Sequence, residues 1–334
     1  MQNLGRTVSY SEISTWLSCR YRWMFAYEQD LRPLIGSPEL DLGTVTHACL
    51  AAIHSSAFDG VMMQKNAKDA AEKWIDETAA KRTMLEGGMQ ELRKTAELAY
   101  HLAFRAMEYI GVDRWETVSY NGSPLIERTL IVPLAYTGGY KFIPDWVARD
   151  RVTGTVWAFD YKVRKTLQEE DGSQFVQLPT YQAALHQLGI KVDGTATLQI
   201  RNKLPTIPKL NKDGSVSREN ITTSWDIYRT FVIQHGLNVL DYEDMKDKLS
   251  NVKFFSMDQR YRNEETLQRI WSTIVEPAAR GIAEGSVGAV MARTGFNCNR
   301  CDYCPICDAI LDGDDVEWIK SVHYVKEERH KNAK

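Results

Sequence analysis

Two stretches rich in aromatic and β-branched residues flank a short polar turn near the middle of the chain. The turn lies at residues 150–155 and contains Gly154, and this arrangement predicts a β-hairpin. A pairing that is symmetric about residues 152–153 would place Asp145 directly opposite Asp160. We therefore expect the two carboxylates to be neighbours on one face of the hairpin, roughly 5 Å apart.

Apolar residues at helical spacing predict most of the remaining elements. Ser9 or Ser11 is suited to cap the first helix, and Glu12 follows Ser9 at the spacing of a capping box. A second helix is expected to begin near Gly43, and residues 87–88 are expected to divide a pair of charged helices. Pro179 indicates that the helix after the hairpin begins close to it, since proline is tolerated in a first turn. The predicted helices cover about residues 9–27, 43–58, 64–110, 174–189, 223–236 and 263–285.

Strands are expected at residues 124–136 and 194–204 in addition to the hairpin. The order of helices, strands, helix and strand predicts an α/β fold with a mixed central sheet flanked by helices. We expect a single domain at residues 1–312, followed by a charged tail at residues 313–334 that ends in disorder. The expected parts of the domain are a helical insertion at about 60–112, a sheet core at about 124–204, and C-terminal helices with a cysteine segment at 223–312.

The segment 202–222 connects the last predicted strand to the C-terminal helices. Its prolines and its glycine indicate irregular structure. The segment is either a solvated loop or an arm that contacts phosphates through its cations, which are Lys203, Lys209, Lys212 and Arg218.

Composition narrows the classes of function. Of the 334 residues, 43% are hydrophobic and 25% are charged, as in a soluble globular protein. The formal net charge of -3 excludes a basic field over the whole surface, so any contact with nucleic acid must be a local groove. The first residues lack the apolar core of a signal peptide, and no apolar run reaches the roughly 18 residues of a membrane span. We therefore expect a cytoplasmic protein with no membrane partner.

The predicted hairpin carries candidate chemistry. Two carboxylates at such close range repel each other unless one is protonated or a cation lies between them. Lys162 projects from the same face as Asp160, because side chains two residues apart on a strand share a face. The carboxylate pair and the ammonium group together are typical of a hydrolytic metal site. The alternative is an ion pair on a solvated strand, which would have little energetic value.

Four of the six cysteines lie within ten residues near the end of the chain, at Cys298, Cys301, Cys304 and Cys307. In a reducing compartment such crowding favours a bound metal or an iron–sulfur cluster over disulfides. The two-residue gaps could supply four cluster ligands locally, as in ferredoxin-like runs. Zinc is the alternative, although zinc sites usually separate their cysteine pairs more widely.

Several of these stretches together resemble one family. The chain is similar to the RecB/Cas4-like branch of the PD-(D/E)xK nucleases, and particularly to the Cas4-family exonucleases carried by phages. The resemblance runs from about Ser9 to Cys307 and rests on motifs that follow the family's order. They are an early cysteine at Cys19, G-x-x-x-H from Gly43 to His47, Pro144-Asp145 with Asp160-Tyr161-Lys162, Q-x-x-x-Y from Gln177 to Tyr181, and late cysteines at Cys298, Cys301 and Cys307.

The resemblance implies a restriction-endonuclease-like fold and metal-dependent hydrolysis of phosphodiester bonds in DNA. The catalytic set that it implies is Asp145, Asp160, Lys162, Gln177 and Tyr181. A Mn²⁺ or Mg²⁺ ion would be held by His47, Asp145, Asp160 and the backbone carbonyl of Tyr161. Glu127 is expected to be an outer member of this site.

The resemblance also implies a [4Fe–4S] cluster on Cys19, Cys298, Cys301 and Cys307. Such a cluster would tie the first helix to the C-terminal segment, and Cys304 is the alternative ligand. The implied activity is that of a DNA exonuclease that acts on single strands or ends in phage recombination or repair, within the host cytoplasm. Recombination or CRISPR-adaptation proteins are the implied partners.

Three other functions fit parts of the pattern. A DNA endonuclease that works with partner proteins in CRISPR adaptation would share every motif. A non-catalytic iron–sulfur protein that binds DNA would need the cysteines, but it would not need Asp160-Tyr161-Lys162. A zinc-binding interaction module would need the cysteines alone and would leave the hairpin unexplained.

Overall fold

The computed structural model describes residues 6–34, 38–56, 59–81, 88–168, 174–219, 221–285 and 296–327. Its strands, in chain order, are β1 (Thr7–Ser9), β2 (Leu31–Pro33), β3 (Trp115–Thr117), β4 (Ser119–Tyr120), β5 (Ser123–Pro124), β6 (Leu130–Leu134), β7 (Thr137–Phe142), β8 (Trp146–Asp150), β9 (Val156–Arg164), β10 (Gly194–Arg201), β11 (Phe255–Tyr261) and β12 (Tyr324–Lys326).

The α-helices are α1 (Tyr10–Ser18), α2 (Arg20–Trp23), α3 (Pro38–His54), α4 (Gly60–Lys81), α5 (Gly88–Ile110), α6 (Gln174–Gln187), α7 (Trp225–Gln234), α8 (Glu243–Leu249), α9 (Glu264–Ile270), α10 (Glu276–Glu284), α11 (Cys304–Asp312) and α12 (Val316–His323). Short π-helices follow α2 and α9 at Met24–Glu28 and Trp271–Val275, and 3₁₀ turns lie at Val112–Arg114, Val239–Tyr242 and Phe296–Arg300. The predicted mixed α/β architecture is confirmed.

Five strands form the central sheet in the order β11-β10-β9-β8-β3. β9 and β10 run parallel with α6 between them in the chain, and the other neighbouring pairs are antiparallel. The β8–β9 hairpin pairs Trp146 with Phe159 and Val147 with Ala158. This is the predicted register, and Asp145 and Asp160 are the next residues along the two strands.

Helices cover both faces of the central sheet. One face carries Trp146 and Phe159 and packs against α3, α4 and α5. The other face carries Val147 and Ala158 and packs against α1, α6, α9 and α10. Because side chains alternate along a strand, Asp160 lies on the same face as Ala158, toward α6.

A second sheet has the strand order β1-β7-β6. The chain passes from β7 in this smaller sheet to β8 in the central sheet across residues 143–145. Asp145 is therefore the last residue of the junction between the two sheets. This position places its side chain at the start of β8, beside the part of β9 that extends beyond β8.

The predicted N-terminal and insertion helices are present. The Ser9 side chain caps α1 by accepting a hydrogen bond from the backbone N–H of Glu12, as the capping pattern predicts. Cys19 is extended and separates α1 from α2. The charged helices predicted within 64–110 are α4 and α5, and α5 begins at Gly88.

Two predicted helix starts are wrong. α3 begins at Pro38 rather than near Gly43, and α6 begins at Gln174 with Pro179 inside it. Glycine costs a helix about 1 kcal/mol relative to alanine, but the adjacent Val45 is fully buried in the core. Tertiary packing therefore overrides the local preference. Pro179 removes only one backbone hydrogen bond near the start of α6.

Residues 124–136 do not form the single strand that was expected. The chain is extended only in β5 and β6, because Glu127 between them has a φ of 43°. A left-handed residue cannot continue a strand. The pairing of β6 with β7 is also shifted between Val132 and Leu134, on either side of Pro133.

The sheet and the folded C-terminal segment extend beyond their predicted limits. β3 and β11 join the central sheet from outside the expected core at 124–204. Residues 316–326 form α12 and β12, and β12 pairs with β2. The expectation of a tail is therefore wrong for this part of 313–334. Residues 328–334, where disorder was expected, lie outside the described residues.

The segment 202–219 is irregular, as predicted, apart from an isolated bridge between Leu210 and Val216. Val216 is 1% exposed and packs with Tyr228 and Tyr242 in a small core that α7 and α8 contribute to. The Val216 N–H also donates to the Tyr242 hydroxyl over 2.9 Å. This part of the segment is anchored to the fold and is not a free arm.

Candidate active site

Asp145 contacts the strand that carries Asp160. Its Oδ2 accepts a 2.6 Å hydrogen bond from the backbone N–H of Tyr161. Burial, followed by the charges of Asp160 and Glu127, raises the pKa of Asp145 to about 7 against the opposing effect of His47. The structure thus gathers negative groups around a buried carboxylate, which is the arrangement that the hairpin register predicts.

Asp160 is 3% exposed, and its Oδ1 accepts a 2.9 Å hydrogen bond from the Lys162 ammonium. Burial lowers the pKa of Lys162, but the Asp160 and Asp145 carboxylates outweigh this effect and the pKa is raised. Lys162 therefore keeps its positive charge. The second carboxylate oxygen of Asp160, Oδ2, is buried and has no hydrogen-bond partner among the described residues.

α3 brings His47 to the same place from the helical layer on the other face of the sheet. Nε2 lies 2.9 Å from the Tyr161 carbonyl oxygen, and Nδ1 lies 3.2 Å from Glu127 Oε1 and 3.6 Å from Asp145 Oδ2. Burial lowers the pKa of His47, but the hydrogen bond with Glu127 and the charge of Asp145 outweigh it and raise the pKa to about 9. Each ring nitrogen of His47 thus faces an oxygen atom of the site.

Glu127 takes part in this site more directly than the outer position that was expected. His47, Glu127 and Asp145 each offer a ligand atom, and these atoms lie within 4.8 Å of one another. The left-handed backbone at Glu127 also lets its N–H donate to the Asp145 carbonyl over 3.1 Å. The available sequence signal was an acidic residue that interrupts an apolar strand pattern.

The donor set fits a hard divalent cation. Carboxylate and carbonyl oxygens suit Mg²⁺ and Mn²⁺, and an imidazole nitrogen shifts the preference toward Mn²⁺. The structure brings together the predicted ligands His47, Asp145 and the Tyr161 carbonyl. Asp160 is adjacent in register, and its unpartnered oxygen is the kind of buried group that a cation would satisfy.

α6 places Gln177 and Tyr181 beside the carboxylates. The Gln177 side-chain amide donates to the Tyr181 hydroxyl over 3.2 Å. Burial raises the pKa of Tyr181, and the charges of Asp160 and Asp145 are close enough to raise it further. The two motif residues are thus joined to each other and lie next to the predicted metal ligands.

The family model of the PD-(D/E)XK nuclease superfamily matches residues 7–308. The chain belongs to this superfamily. A comparison with curated proteins finds no match. Membership agrees with the mixed α/β fold and implies metal-dependent cleavage of nucleic acid, for which the His47, Glu127 and Asp145 group offers a metal site. Within the described ranges, no helix has both the length and the apolar character needed to cross a membrane.

The predicted DNA-contacting cations of this nuclease differ in their surroundings. Lys203, Lys209 and Lys212 are exposed. Arg218 instead donates from Nη2 to the Asp241 carbonyl over 2.5 Å, and its guanidinium lies over the Tyr242 ring. Arg218 is therefore engaged in holding the small core described above.

Cysteines from both ends of the matched segment, residues 7–308, lie close together. Burial raises the pKa of Cys307 to about 12, and Cys301, Cys19, Cys304 and Cys298 are all close enough to contribute. The Cys304 Sγ lies 3.5 Å from Asp308 Oδ2. The remaining cysteine, Cys49, is buried and donates to the Ala67 carbonyl, which is a structural role.

Protein contacts also join the two ends of the chain around the cysteines. The Tyr303 hydroxyl donates to the Leu31 carbonyl over 2.7 Å, and the Phe25 and Tyr303 ring centroids are 5.8 Å apart. The β2–β12 pair adds backbone hydrogen bonds to the same region. Cys301 and Cys307 pack against this cluster.

Proposed function

We propose that the chain is a metal-dependent DNA exonuclease of the RecB/Cas4-like branch, which hydrolyses phosphodiester bonds in single strands or at DNA ends. A role in phage recombination or repair follows from the same branch. The observation that carries the proposal is the hydrogen bonding of the two carboxylates at the strand ends: Asp145 accepts from the Tyr161 N–H, and the buried Asp160 next to it accepts from Lys162. A surface ion pair would not be buried, and it would not leave a carboxylate oxygen without a partner.

His47, Asp145, Asp160 and the Tyr161 carbonyl would hold the Mg²⁺ or Mn²⁺ ion, with Glu127 beside them. When bound, such an ion lowers the pKa of a coordinated water and offsets negative charge that develops on the phosphoryl group. The protein holds three carboxylates close together for this purpose: Asp160 is buried, Asp145 is mostly buried and Glu127 is partly exposed. The raised pKa of Asp145 supports this role, because a carboxylate in such surroundings favours an added positive charge.

Three side chains would act on the substrate itself. Lys162 keeps its charge beside Asp160 and would stabilise negative charge on the reacting phosphate. Tyr181 and Gln177 form one hydrogen-bonded unit on α6 and would orient the attacking water or a neighbouring phosphate. Because these groups come from a strand and an adjacent helix, their positions are fixed by the core.

The cysteines would hold a [4Fe–4S] cluster through Cys19, Cys298, Cys301 and Cys307. Cys301, Cys19, Cys304 and Cys298 all act electrostatically on Cys307, so cysteines from both ends of the chain lie close together. This convergence supports a cluster shared by Cys19 and the C-terminal cysteines. The contact of Cys304 with Asp308 supports leaving Cys304 out of it.

The test is incubation of anaerobically purified protein with end-labelled linear DNA, single- and double-stranded, and with covalently closed circular DNA, in Mn²⁺ or Mg²⁺. We expect the linear DNA to be degraded from its ends and the circle to survive. Asp160→Asn should abolish degradation, whereas Asp193→Asn, on a loop away from the site, should not.

Each other outcome rejects a defined part of the proposal. Cleavage of the circle would reject the exonuclease assignment in favour of an endonuclease. Absence of any cleavage by a protein that still binds DNA would reject the nuclease and favour a non-catalytic binding protein. An absorbance spectrum of the same sample tests the cluster, because a zinc protein has no charge-transfer band in the visible range.

A further inference from the structure

Two arginines lie side by side at the ends of the parallel strands β9 and β10. The register pairs Lys162 with Gln199 and Arg164 with Arg201. Residues paired in this way point to the same face of a sheet, and residues two apart on one strand share that face. Arg164 and Arg201 therefore project from the face that carries Asp160 and Lys162.

Like charges on neighbouring strands repel each other. The arginine pair is thus a like-charge pair of opposite sign to the carboxylates Asp145 and Asp160. The positive charge of Arg164 lies close enough to Lys162 to lower the pKa of that lysine. Two positively charged side chains therefore lie near each other along β9. A row of positively charged side chains of this kind is suited to bind an anion.

The Arg201 side chain is held in place but incompletely satisfied. Its guanidinium lies 5.4 Å from the centroid of the Phe254 ring, which is buried at the adjacent strand end. Its Nε is buried without a hydrogen-bond partner, and the guanidinium makes no salt bridge with any described residue. An arginine that served only to balance an internal carboxylate would have such a partner.

The neighbouring residues fix the strand ends. Arg164 Nη1 donates to the Gln168 side chain over 2.5 Å. The buried Gln199 side-chain amide forms two hydrogen bonds with the backbone of Gln168. It accepts from the N–H over 2.9 Å and donates to the carbonyl over 2.7 Å. The chain after β9 is thereby tied across β10, and both arginines are positioned before any ligand arrives.

We propose that Arg164 and Arg201 form a binding site for a backbone phosphate of the nucleic-acid substrate. The guanidinium groups present paired N–H donors that match phosphate oxygens. Arg164 follows Asp160 by four residues, or about 13 Å along the strand. The site therefore binds a phosphate other than the one undergoing hydrolysis and sets the direction in which the strand leaves the carboxylates. This inference rests on the proposed nuclease function.

The test measures DNA binding without cleavage, by fluorescence anisotropy of a labelled single-stranded oligodeoxynucleotide in EDTA at several salt concentrations. The variants are Arg164→Gln, Arg201→Gln and the double variant. Removal of the charge-assisted hydrogen bonds to phosphate should weaken binding by at least about tenfold in the double variant. The slope of log affinity against log salt should become shallower by about 0.7 for each phosphate that the variant no longer neutralises.

A matched control removes two positive charges elsewhere. The control variant combines Lys94→Gln and Arg105→Gln. Both residues are exposed on α5, the helix that packs against the opposite face of the sheet. This control should leave the salt slope near that of the wild type. An equal change in the control and in the arginine double variant would overturn the proposal, because the effect would then be one of net charge.

Oligonucleotides in which single phosphates are replaced by neutral methylphosphonates locate the bound phosphate. Replacement of the phosphate at one position should weaken binding by the wild-type protein. Replacement at the same position should not change the affinity of the double variant. Identical position profiles for the two proteins would overturn the proposal. Thermal melting of the DNA-free variants checks their folding, and we expect each variant to melt in a single cooperative transition.

The cleavage assay separates this inference from the proposed function. A wild-type protein that binds through the arginine pair but cleaves no DNA would reject the nuclease and leave the phosphate site standing. A nuclease whose double variant binds with the wild-type salt slope would reject the phosphate site and leave the nuclease standing.

Discussion

The His54 Nε2 and the Tyr161 hydroxyl oxygen lie 2.7 Å apart, beneath the candidate active site. His54 and His47 are two turns apart on α3, and His47 contacts the backbone carbonyl of the same tyrosine. α3 therefore holds Tyr161 at both ends. Burial lowers the pKa of His54 to about 3, so the ring is neutral, and its Nδ1 is buried without a partner in the described part of the chain.

We expect His54→Phe and Tyr161→Phe each to lower the free energy of unfolding by about 1–3 kcal/mol, because each leaves a buried polar atom unpaired. The double variant should lose less than the sum, since both polar partners are then replaced by apolar rings, which can stack on each other as the His54 and Tyr161 rings do. Urea denaturation of the four proteins measures the coupling. Additive losses would show that the hydrogen bond does not link the two residues.

The turn that sets the hairpin register contains a second testable interaction. Asp150 is 2% exposed and accepts hydrogen bonds from Arg114 Nε and Nη2 over 3.0 Å and 2.6 Å, and from the Val152 N–H over 2.9 Å. The hydrogen bonds from Arg114 hold the pKa of Asp150 well below its usual range. The ionised carboxylate thus stabilises the turn of the β8–β9 hairpin, at whose other end Asp145 and Asp160 lie.

Asp150→Asn should lower the free energy of unfolding at pH 7 by about 1.5 kcal/mol, the low end for charged hydrogen bonds because Arg114 is half exposed to solvent. Asp150 has a depressed pKa in the folded state, so its contribution is complete above the unfolded pKa of about 3.9 and is lost as pH falls below it. Urea denaturation at pH 7 and near pH 3 should therefore show a smaller difference from wild type at the lower pH. An equal difference at both values would contradict the assignment, and Asp113→Asn on the exposed neighbour is the control.

Local patterns explain why the hairpin register could be predicted from the sequence. The turn length and the alternation of side chains together fix which residues of β8 and β9 face each other. Tyr181 and Gln177 were likewise predictable, since a one-turn spacing on a helix puts two side chains together. In both cases the two partners are near each other in the chain or belong to one short motif.

Long-range pairing explains what the sequence did not reveal. β11 contains no fully buried residue, so its seven residues carry no clear alternation, and β3 is only three residues long. Their places in the sheet depend on partners that are distant in the chain. Glu127 reaches His47 only because its backbone is left-handed, which no apolar or polar pattern encodes.

The hydrogen bond between Glu127 and His47 predicts an effect on metal binding. Glu127→Gln keeps a hydrogen-bond acceptor for His47 but removes a negative charge from the group of three ligands. We expect the affinity for Mn²⁺ to fall by about 10- to 100-fold, the usual effect of altering a group that orients or supports a ligand. Isothermal titration of metal-depleted protein without DNA measures it directly. Glu116→Gln, on an exposed position of β3, is the control, and an unchanged affinity in Glu127→Gln would remove Glu127 from the site.

Cys19 and Cys304 offer a matched pair for testing the cluster. Cys19→Ser should lose iron and visible absorbance and should melt at a lower temperature, because a bound cluster stabilises the fold that forms it. Cys304→Ser should keep both, since the Cys304 sulfur already contacts Asp308. Iron content per chain, absorbance and thermal melting under anaerobic conditions are the measurements.

The protein contacts between the two chain ends make the cysteine result interpretable. The Phe25–Tyr303 ring contact and the β2–β12 pair join the same segments without the cysteines, so Cys19→Ser should still fold. Loss of iron in a folded variant then identifies Cys19 as a ligand rather than as a residue needed for folding. Full iron content in Cys19→Ser together with its loss in Cys304→Ser would instead establish a cluster held by the C-terminal cysteines alone, with the chain ends joined only by side-chain packing and strand pairing.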